Sequence, residues 1–204
     1  MTHLRIGLYG YNGHQLDAGA LAGLPADIVA HCGIDPSRMP TQATSHASLS
    51  SLLGAGIDAV SICSPRRSDQ AGDIRAALEA GCHVLAEKPA AMTPGDLRRL
   101  LDLAAARRLV LAEMGHTGFE EPFRTLGQLA REGAAGRIRQ VLVQKSYPAA
   151  DFRPVDEAVD GGLLLQCALH GIRMAEWIGG GPVRQVSARQ AARGGEGAQA
   201  LLVD

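Results

Sequence analysis

Five short apolar runs space out the first half of the chain: LRIGLYG (4–10), DIVAHCGI (27–34), DAVSICS (58–64), CHVLAE (82–87) and LVLAEM (109–114). None of them alternates apolar with polar residues, as a strand with one wet face would. A continuous run of this length suits a strand covered on both faces, and such strands are parallel, because crossover helices lie on both sides of the sheet. Helical patterns fill two of the intervals. SDQAGDIRAALEAG puts Ile74, Ala77 and Leu78 on one face and stops at Gly81. TPGDLRRLLDLAAARR opens with Thr93 as N-cap, Pro94 at the first helical position and Asp96 three residues after the cap. Leu97, Leu100, Leu101 and Ala104 form its expected buried stripe, and Arg107 and Arg108 suit its C-terminal end. One crossover is irregular: between Ile34 and Asp58 only a short helical pattern, at about 48–54, is visible.

The texture changes after residue 115. EPFRTLGQLAREG reads as an amphipathic helix with Phe123, Leu126, Leu129 and Ala130 inward, and RIRQVLVQKSY (137–147) as a strand with one solvated face. GGLLLQCALHGIRMAEWIGG is a long, nearly all-apolar helical pattern, and VRQVSARQ (183–190) and AQALLVD (198–204) read as strands. The pattern predicts the α/β class: a Rossmann-like doubly wound parallel sheet over 1–117, then a partial α+β domain over 118–204 with a small, mainly antiparallel sheet. The last strand ends the sequence without a polar tail, so the sheet edge needs cover, by a partner chain or by further sequence. A homo-oligomer through the C-terminal sheet is the expected assembly.

Charge excludes several classes. Net charge is −1 with acids and bases interspersed, and the chain has three Phe, three Tyr and one Trp, so neither a basic stripe nor an aromatic platform points to nucleic acid. No apolar run approaches a membrane span, and the N-terminus goes straight into a strand pattern, so a cytoplasmic location is expected. Cys32, Cys63, Cys82 and Cys167 have no C-x-x-C spacing. No metal site is expected, and the first three lie in apolar runs as small buried hydrophobes.

Three groups of residues carry chemistry. GLYGYNGH follows the first strand, and a strand that runs into a glycine turn and a helix start can seat a pyrophosphate on backbone amides. The G-x-G-x-x-G frame would need Gly at 10, 12 and 15; the residues are Gly10, Asn12 and Gln15, so a looser frame of Gly10 and Gly13 fits better, with Asn12 tolerating left-handed geometry. An ordinary β–α turn is the plain alternative. Asp35 closes the second run in CGIDPSR, where an acid can bind an adenosine ribose and favour NAD over NADP; Arg38 keeps a 2′-phosphate open, and a turn-capping Asp before Pro36 is the plain alternative. Gln166, His170 and Arg173, at i, i+4 and i+7, form one polar stripe on the apolar helix, which should face a polar cavity or a cofactor unless it is merely satisfied in the core.

The stretch HVLAEKPAAM adds a compositional oddity. The chain has 18 Arg but only two Lys, at 88 and 145, and Lys88 stands straight after an apolar run. Arg is a permanently charged fork, whereas Lys can aim one donor at one oxygen. The run LEAGCHVLAEKPAAMT, with RIGLYG, DAVSICSP and DGGLLLQCALHGIRMAEWIGG, resembles the Gfo/Idh/MocA family of NAD(P)-dependent sugar and polyol oxidoreductases over essentially the whole chain.

The resemblance implies a hydride transfer between NAD or NADP and a secondary alcohol or ketone of a sugar or cyclitol. It implies catalytic roles for Lys88, beside the nicotinamide and the substrate oxygen, for His170 as general acid/base, and for Gln166 in orienting donors. It implies cofactor contacts at Gly10, Asn12, Gly13, Asp35, Arg38, Ser64, Pro65, Glu87 and Lys88. The family's proline after the lysine is often preceded by a cis peptide. Three departures stand out. Gln166 replaces the family's Asp four residues before His170, SPRRSD replaces T-P-N-x-x-H with Arg66 and Asp69 at the polar positions, and Gly118 precedes Phe119 where the family has Arg before an aromatic. Most of the family's second domain is also missing. The chain is therefore expected to be a short or truncated member of that family, and a non-catalytic dinucleotide-binding sensor or regulatory protein of the same fold is the alternative expectation.

Overall fold

The computed structural model describes residues 3–115, 118–144, 156–162, 164–181, 183–190 and 199–203. The chain divides into two compact units, one of Met1–Met114 with Pro154–Gly162 and the other of Gly115–Arg153 with Leu163–Asp204.

The first unit holds a six-stranded parallel sheet: β1 (Leu4–Tyr9), β2 (Ala26–Cys32), β3 (Thr44–His46), β4 (Ala59–Ile62), β5 (His83–Ala86) and β6 (Leu111–Glu113). The spatial order is β3-β2-β1-β4-β5-β6, and every neighbouring pair is parallel. This is the doubly wound dinucleotide-fold order, in which the winding reverses between β1 and β4 and opens a crevice at their carboxyl ends. Each of the five apolar runs became a strand, trimmed by one or two residues at most ends. β3 was not foreseen: three residues, exposed and intermediate, carry no apolar run.

Helices α1 (Leu49–Leu53), α2 (Gln70–Glu79) and α3 (Pro94–Arg107) connect the strands. The short α1 is the reduced crossover expected near 48–54. Ile74, Ala77 and Leu78 of α2 are buried as the periodicity required. In α3 the Thr93 hydroxyl accepts from Asp96 N at 3.1 Å, and the C-cap Arg108 turns left-handed at φ 56°. Its stripe is narrower than predicted: Leu100 and Ala104 are buried but Leu97 and Leu101 are exposed, because α3 touches the sheet along one edge only. No helix follows β1; residues 18–25 are turns and bends, so the expected helix start after the glycine loop does not form. A large apolar cluster around Ile62, Ile74, Leu78 and Val84 fills one core. A smaller one of Ile6, Leu8, Ile28 and Ile34 is covered by Leu16, Leu21 and Met39 from irregular segments.

The second unit contains α4 (Phe123–Arg131), a π-helical turn (Leu164–Ala168) leading into α6 (Leu169–Gly179), and the antiparallel pair β7 (Val186–Gln190) and β8 (Gln199–Val203); the short α5 (Glu157–Asp160) belongs to the first unit. α4 forms, but Phe123, Leu126 and Leu129 are exposed. It meets α6 through Gly127, where an added Cβ would lie 1.8 Å from Trp177 Nε1. Trp177 Nε1 donates to Phe123 O at 3.2 Å, and Arg131 covers the indole at 4.1 Å. One small residue thus replaces the predicted leucine stripe as the packing point. The strand expected over 137–147 is absent from 137–144, where no described strand pairs with it and Leu142 is exposed; 145–147 lie outside the described residues. Among the described residues no helix is long and apolar enough to cross a membrane.

Candidate functional site

At the carboxyl end of β1, Gly10 adopts φ 70° and a Cβ there would lie 2.1 Å from Cys63 O. Gly13 adopts φ 119°, and its Cβ would lie 2.7 Å from Glu87 Cγ. Gly33, after β2, adopts φ 69° and faces Gly10 Cα at 3.7 Å from its own ideal Cβ. Gly10 and Gly33 thus approach each other without side chains, and Gly13 lets the loop close down on Glu87. Gly33 was missed by sequence reasoning, although its place two residues before Asp35 was a usable signal. Asn12 does not turn left-handed as expected; its positive-φ neighbours take the turn. Its Nδ2 instead donates to Pro65 O at 3.1 Å and Val159 O at 2.6 Å. Gln15, at the position of the fingerprint's third glycine, donates from Nε2 to Gly10 O at 2.9 Å and Tyr9 O at 3.2 Å and accepts from Ser61 Oγ. Its side chain occupies the strand ends where a helix would begin. Among the described residues the amides of Tyr11 and Gly13 make no hydrogen bond, which leaves two donors for an anion.

At the other end of the crevice Asp35 caps a short 3-10 helix, Pro36–Arg38, accepting from Ser37 N at 2.9 Å. That bond holds its carboxyl below the usual range. Asp35 is exposed, so capping leaves the other carboxylate oxygen free for a ribose. Arg38 stacks on the Tyr11 ring at 4.6 Å, which places an aromatic face and a cation beside the acid.

Below the loops lies a set of buried charges, Arg67, Glu87, Lys88 and Asp160, two of each sign. Charges taken out of water need such balance. Arg67 donates to Gln70 Oε1 and to Asn12 O, while its Nε has no partner. Gln70 Nε2 donates to Glu87 O and, at 2.8 Å, to Pro89 O, across the cis Lys88–Pro89 peptide. Glu87 Oε1 accepts from Lys88 N at 2.9 Å and lies 3.6 Å from Lys88 Nζ; Glu87 Oε2 accepts from His14 N and lies 3.1 Å from His14 Nδ1. Ser64 is fully buried with its hydroxyl on Asp73 Oδ2 at 2.6 Å, and Pro65 is exposed at the crevice. Burial raises the Asp73 carboxyl, with the Ser64 bond offsetting part of that. Burial, then the Glu87 charge, pushes the Cys63 thiol up to about 12, so it stays a thiol and donates to His14 O at 3.0 Å.

The segment Asp156–Gly161 returns to this unit as a strap. Val159 O accepts from Arg67 N at 3.0 Å, Ala158 O from Ser68 N at 2.9 Å, and Asp156 pairs with Arg66 at 2.6 Å. Gly161 passes against Pro89, its ideal Cβ 2.9 Å from Pro89 Cδ. Arg66, which the sequence offered only as a departure from a family pattern, and Arg67, which it did not single out, hold this strap and the glycine loop. Of the expected catalytic residues, Lys88 lies in the first unit and Gln166 and His170 in the second. Gln166 sits in the π-helical turn and His170 at the start of α6, so the spacing between them is not that of a regular α-helix. Insertions of this kind recur at functional sites. Arg173 reaches over Gly115, where a Cβ would fall 1.8 Å from its guanidinium.

A parallel sheet of this order, with a Cβ-free cradle and an exposed acid at its switch point, defines a dinucleotide-binding Rossmann unit. The model of the oxidoreductase family with an NAD-binding Rossmann fold, GFO_IDH_MocA, matches residues 21–115, and the GFO/IDH/MocA C-terminal domain model matches 123–201. The chain belongs to the Gfo/Idh/MocA oxidoreductase family. It is 34% identical over 142 residues to the D-glucoside 3-dehydrogenase of Escherichia coli K12, covering 67% of this chain and 40% of that enzyme. A putative myo-inositol dehydrogenase from Sinorhizobium meliloti superposes with a TM-score of 0.78 at 23% identity, covering 98% of this chain and 68% of that one. The WlbA dehydrogenase of Bordetella pertussis, solved with NADH and UDP-GlcNAcA, gives a TM-score of 0.72 at 26% identity, covering 93% and 59%. The chain thus spans well under two thirds of its curated relative.

Proposed function

We propose that the chain is the dinucleotide-binding and base-bearing part of an NAD(P)-dependent oxidoreductase acting on a secondary alcohol or ketone of a sugar or cyclitol. One observation carries the reading: a lysine, 5% exposed, stands at the carboxyl end of a parallel strand beside the switch point. The residues fit the cofactor at both ends of the crevice. Gly10 and Gly13 let the loop pack down on Cys63 O and Glu87, the free amides of Tyr11 and Gly13 are donors for a pyrophosphate, and Asp35 accepts from a ribose hydroxyl, which favours NAD, with Arg38 and Tyr11 flanking it. The helix N-terminus that usually adds to this grip is absent, so backbone amides act alone.

When bound, the nicotinamide ring supplies the hydride acceptor or donor. The chain's own residues handle the proton and the charge. Lys88 Nζ donates a hydrogen bond to the substrate oxygen and stabilises its developing negative charge. The His170 imidazole takes the hydroxyl proton in oxidation and returns it in reduction. Gln166 orients donors without adding charge. The test is NADH absorbance across a panel of sugars and cyclitols. Lys88→Ala and His170→Ala should each lower turnover by roughly 10²-fold or more; full turnover in either variant would refute the assignment. A non-catalytic sensor is the second reading, favoured by the missing helix after β1; it predicts a melting-temperature shift with NADH and no turnover of any substrate.

A further inference from the structure

Lys88 poses a problem that the proposed reaction leaves open. A buried ammonium needs an anion nearby. The neighbouring carboxylate that the structure gives is Glu87, itself 1% exposed, with Oε1 3.6 Å from Lys88 Nζ. A carboxylate has two oxygens, and the second is held separately. His14, from the glycine loop, gives Oε2 its backbone N–H and sets its ring Nδ1 3.1 Å away. The approach is built in: Gly13 lets the loop close down only because it has no Cβ, which would lie 2.7 to 2.8 Å from Glu87 Cγ, Cδ and Oε2.

We propose that Glu87 and His14 are positioning residues for Lys88: the buried Glu87 carboxylate supplies its anionic partner, and His14 in the glycine loop fixes that carboxylate so that Oε1 faces the lysine. This rests on the reading of Lys88 as the group that meets the substrate oxygen. One carboxylate then links the cradle for the dinucleotide to the lysine, so that where the loop sits determines where Lys88 points. Neither residue touches substrate in this scheme; both act through Lys88.

The two-lysine composition provides the test. Trace acetylation with acetic anhydride at fixed pH labels Lys88 in competition with Lys145, and peptide mass spectrometry reads the ratio without substrate or turnover. Freed from its partner, Lys88 should label faster relative to Lys145 by roughly tenfold in Glu87→Gln and by roughly threefold in His14→Ala, as charged and neutral hydrogen bonds respectively are lost. His14→Asn, whose amide can replace the ring Nδ1, should stay close to the native ratio. A merely structural histidine would make the Asn and Ala variants behave alike. The His14 side chain is 69% exposed, so this pair decides the matter even if Glu87→Gln does not fold. An unchanged ratio in folded His14→Ala overturns the proposal. Ratios that move as expected in a protein that turns over no sugar or cyclitol leave the linkage standing and refute the redox reading. An unchanged ratio in a protein that Lys88→Ala inactivates does the reverse.

Discussion

Gly10→Ala is the sharpest probe of the cradle, because the fold contains its own control. Gly10 and Gly23 have similar dihedrals, φ 70° and 79°, yet Gly23 has nothing within 4 Å of an added Cβ whereas Gly10 has Cys63 O at 2.1 Å. A methyl group at either site costs about 1–2 kcal/mol for the left-handed backbone. At Gly10 it must also displace the last carbonyl of the β4 edge of the crevice. That carbonyl is main chain one residue past β4 and accepts from Asn12 N at 3.3 Å, so moving it strains the backbone and overpacking adds about 1–3 kcal/mol. Gly10→Ala should therefore lose about 2–5 kcal/mol and Gly23→Ala about 1–2 kcal/mol. In a chain of this size each kcal/mol moves Tm by roughly 2–4 °C. Circular dichroism melts of both variants measure the difference directly, and urea titration checks it. Losses equal within about 0.5 kcal/mol, the usual limit of additivity, would refute the packing argument. They would mean that the strand ends move apart freely and that the cradle is not a rigid feature.

Two further outcomes follow from buried groups. Arg67→Met should cost about 3–5 kcal/mol in a urea titration, because it removes the cation facing Glu87 and Asp160, leaves Asn12 O without a donor and leaves Gln70 Oε1 only the Ser64 amide at 3.3 Å. For His31, burial first and then the neighbouring His46 hold the imidazole below its ordinary value. The folded state then binds fewer protons than the unfolded one as pH falls below about 6.5, so the stability is complete above that pH and lost beneath it, by up to about 1.4 kcal/mol per pH unit. His31→Leu should flatten the stability profile between pH 7 and 5; a slope unchanged from the native protein would show that His31 is not its source.

The parallel sheet was legible because double burial writes itself as unbroken apolar runs, and α2 because its Ile74, Ala77 and Leu78 face one way. β3 was not, since three exposed or half-buried residues at a sheet edge leave no hydrophobic trace. The helix expected after the glycine loop does not form; the segment runs through turns instead, and Gln15 bonds to the strand ends at Tyr9 O and Gly10 O, a contact that local sequence does not show. The α4 stripe misled because amphipathic periodicity names a face without naming what covers it, and here Gly127 and Trp177 make the contact. At the site, Lys88, Gly10 and Asp35 stood out by residue type and position. The bond between His14 and Glu87 was passed over, because a hydrogen bond between residues 14 and 87 has no signature in either local sequence.

The strap has a consequence for how the chain comes together. Unit one is not contiguous: its last segment, Pro154–Gly162, follows the excursion through Gly115–Arg153. During synthesis the sheet can assemble once Met114 has emerged, but Arg67 N, Ser68 N and the Asn12 amide wait for Val159 and Ala158. Closing that long loop costs only a slowly growing entropy, yet it comes late. The glycine loop is thus finished by the stretch of backbone that precedes the second part of the other unit, and it matures only after residues 115–153 have been made.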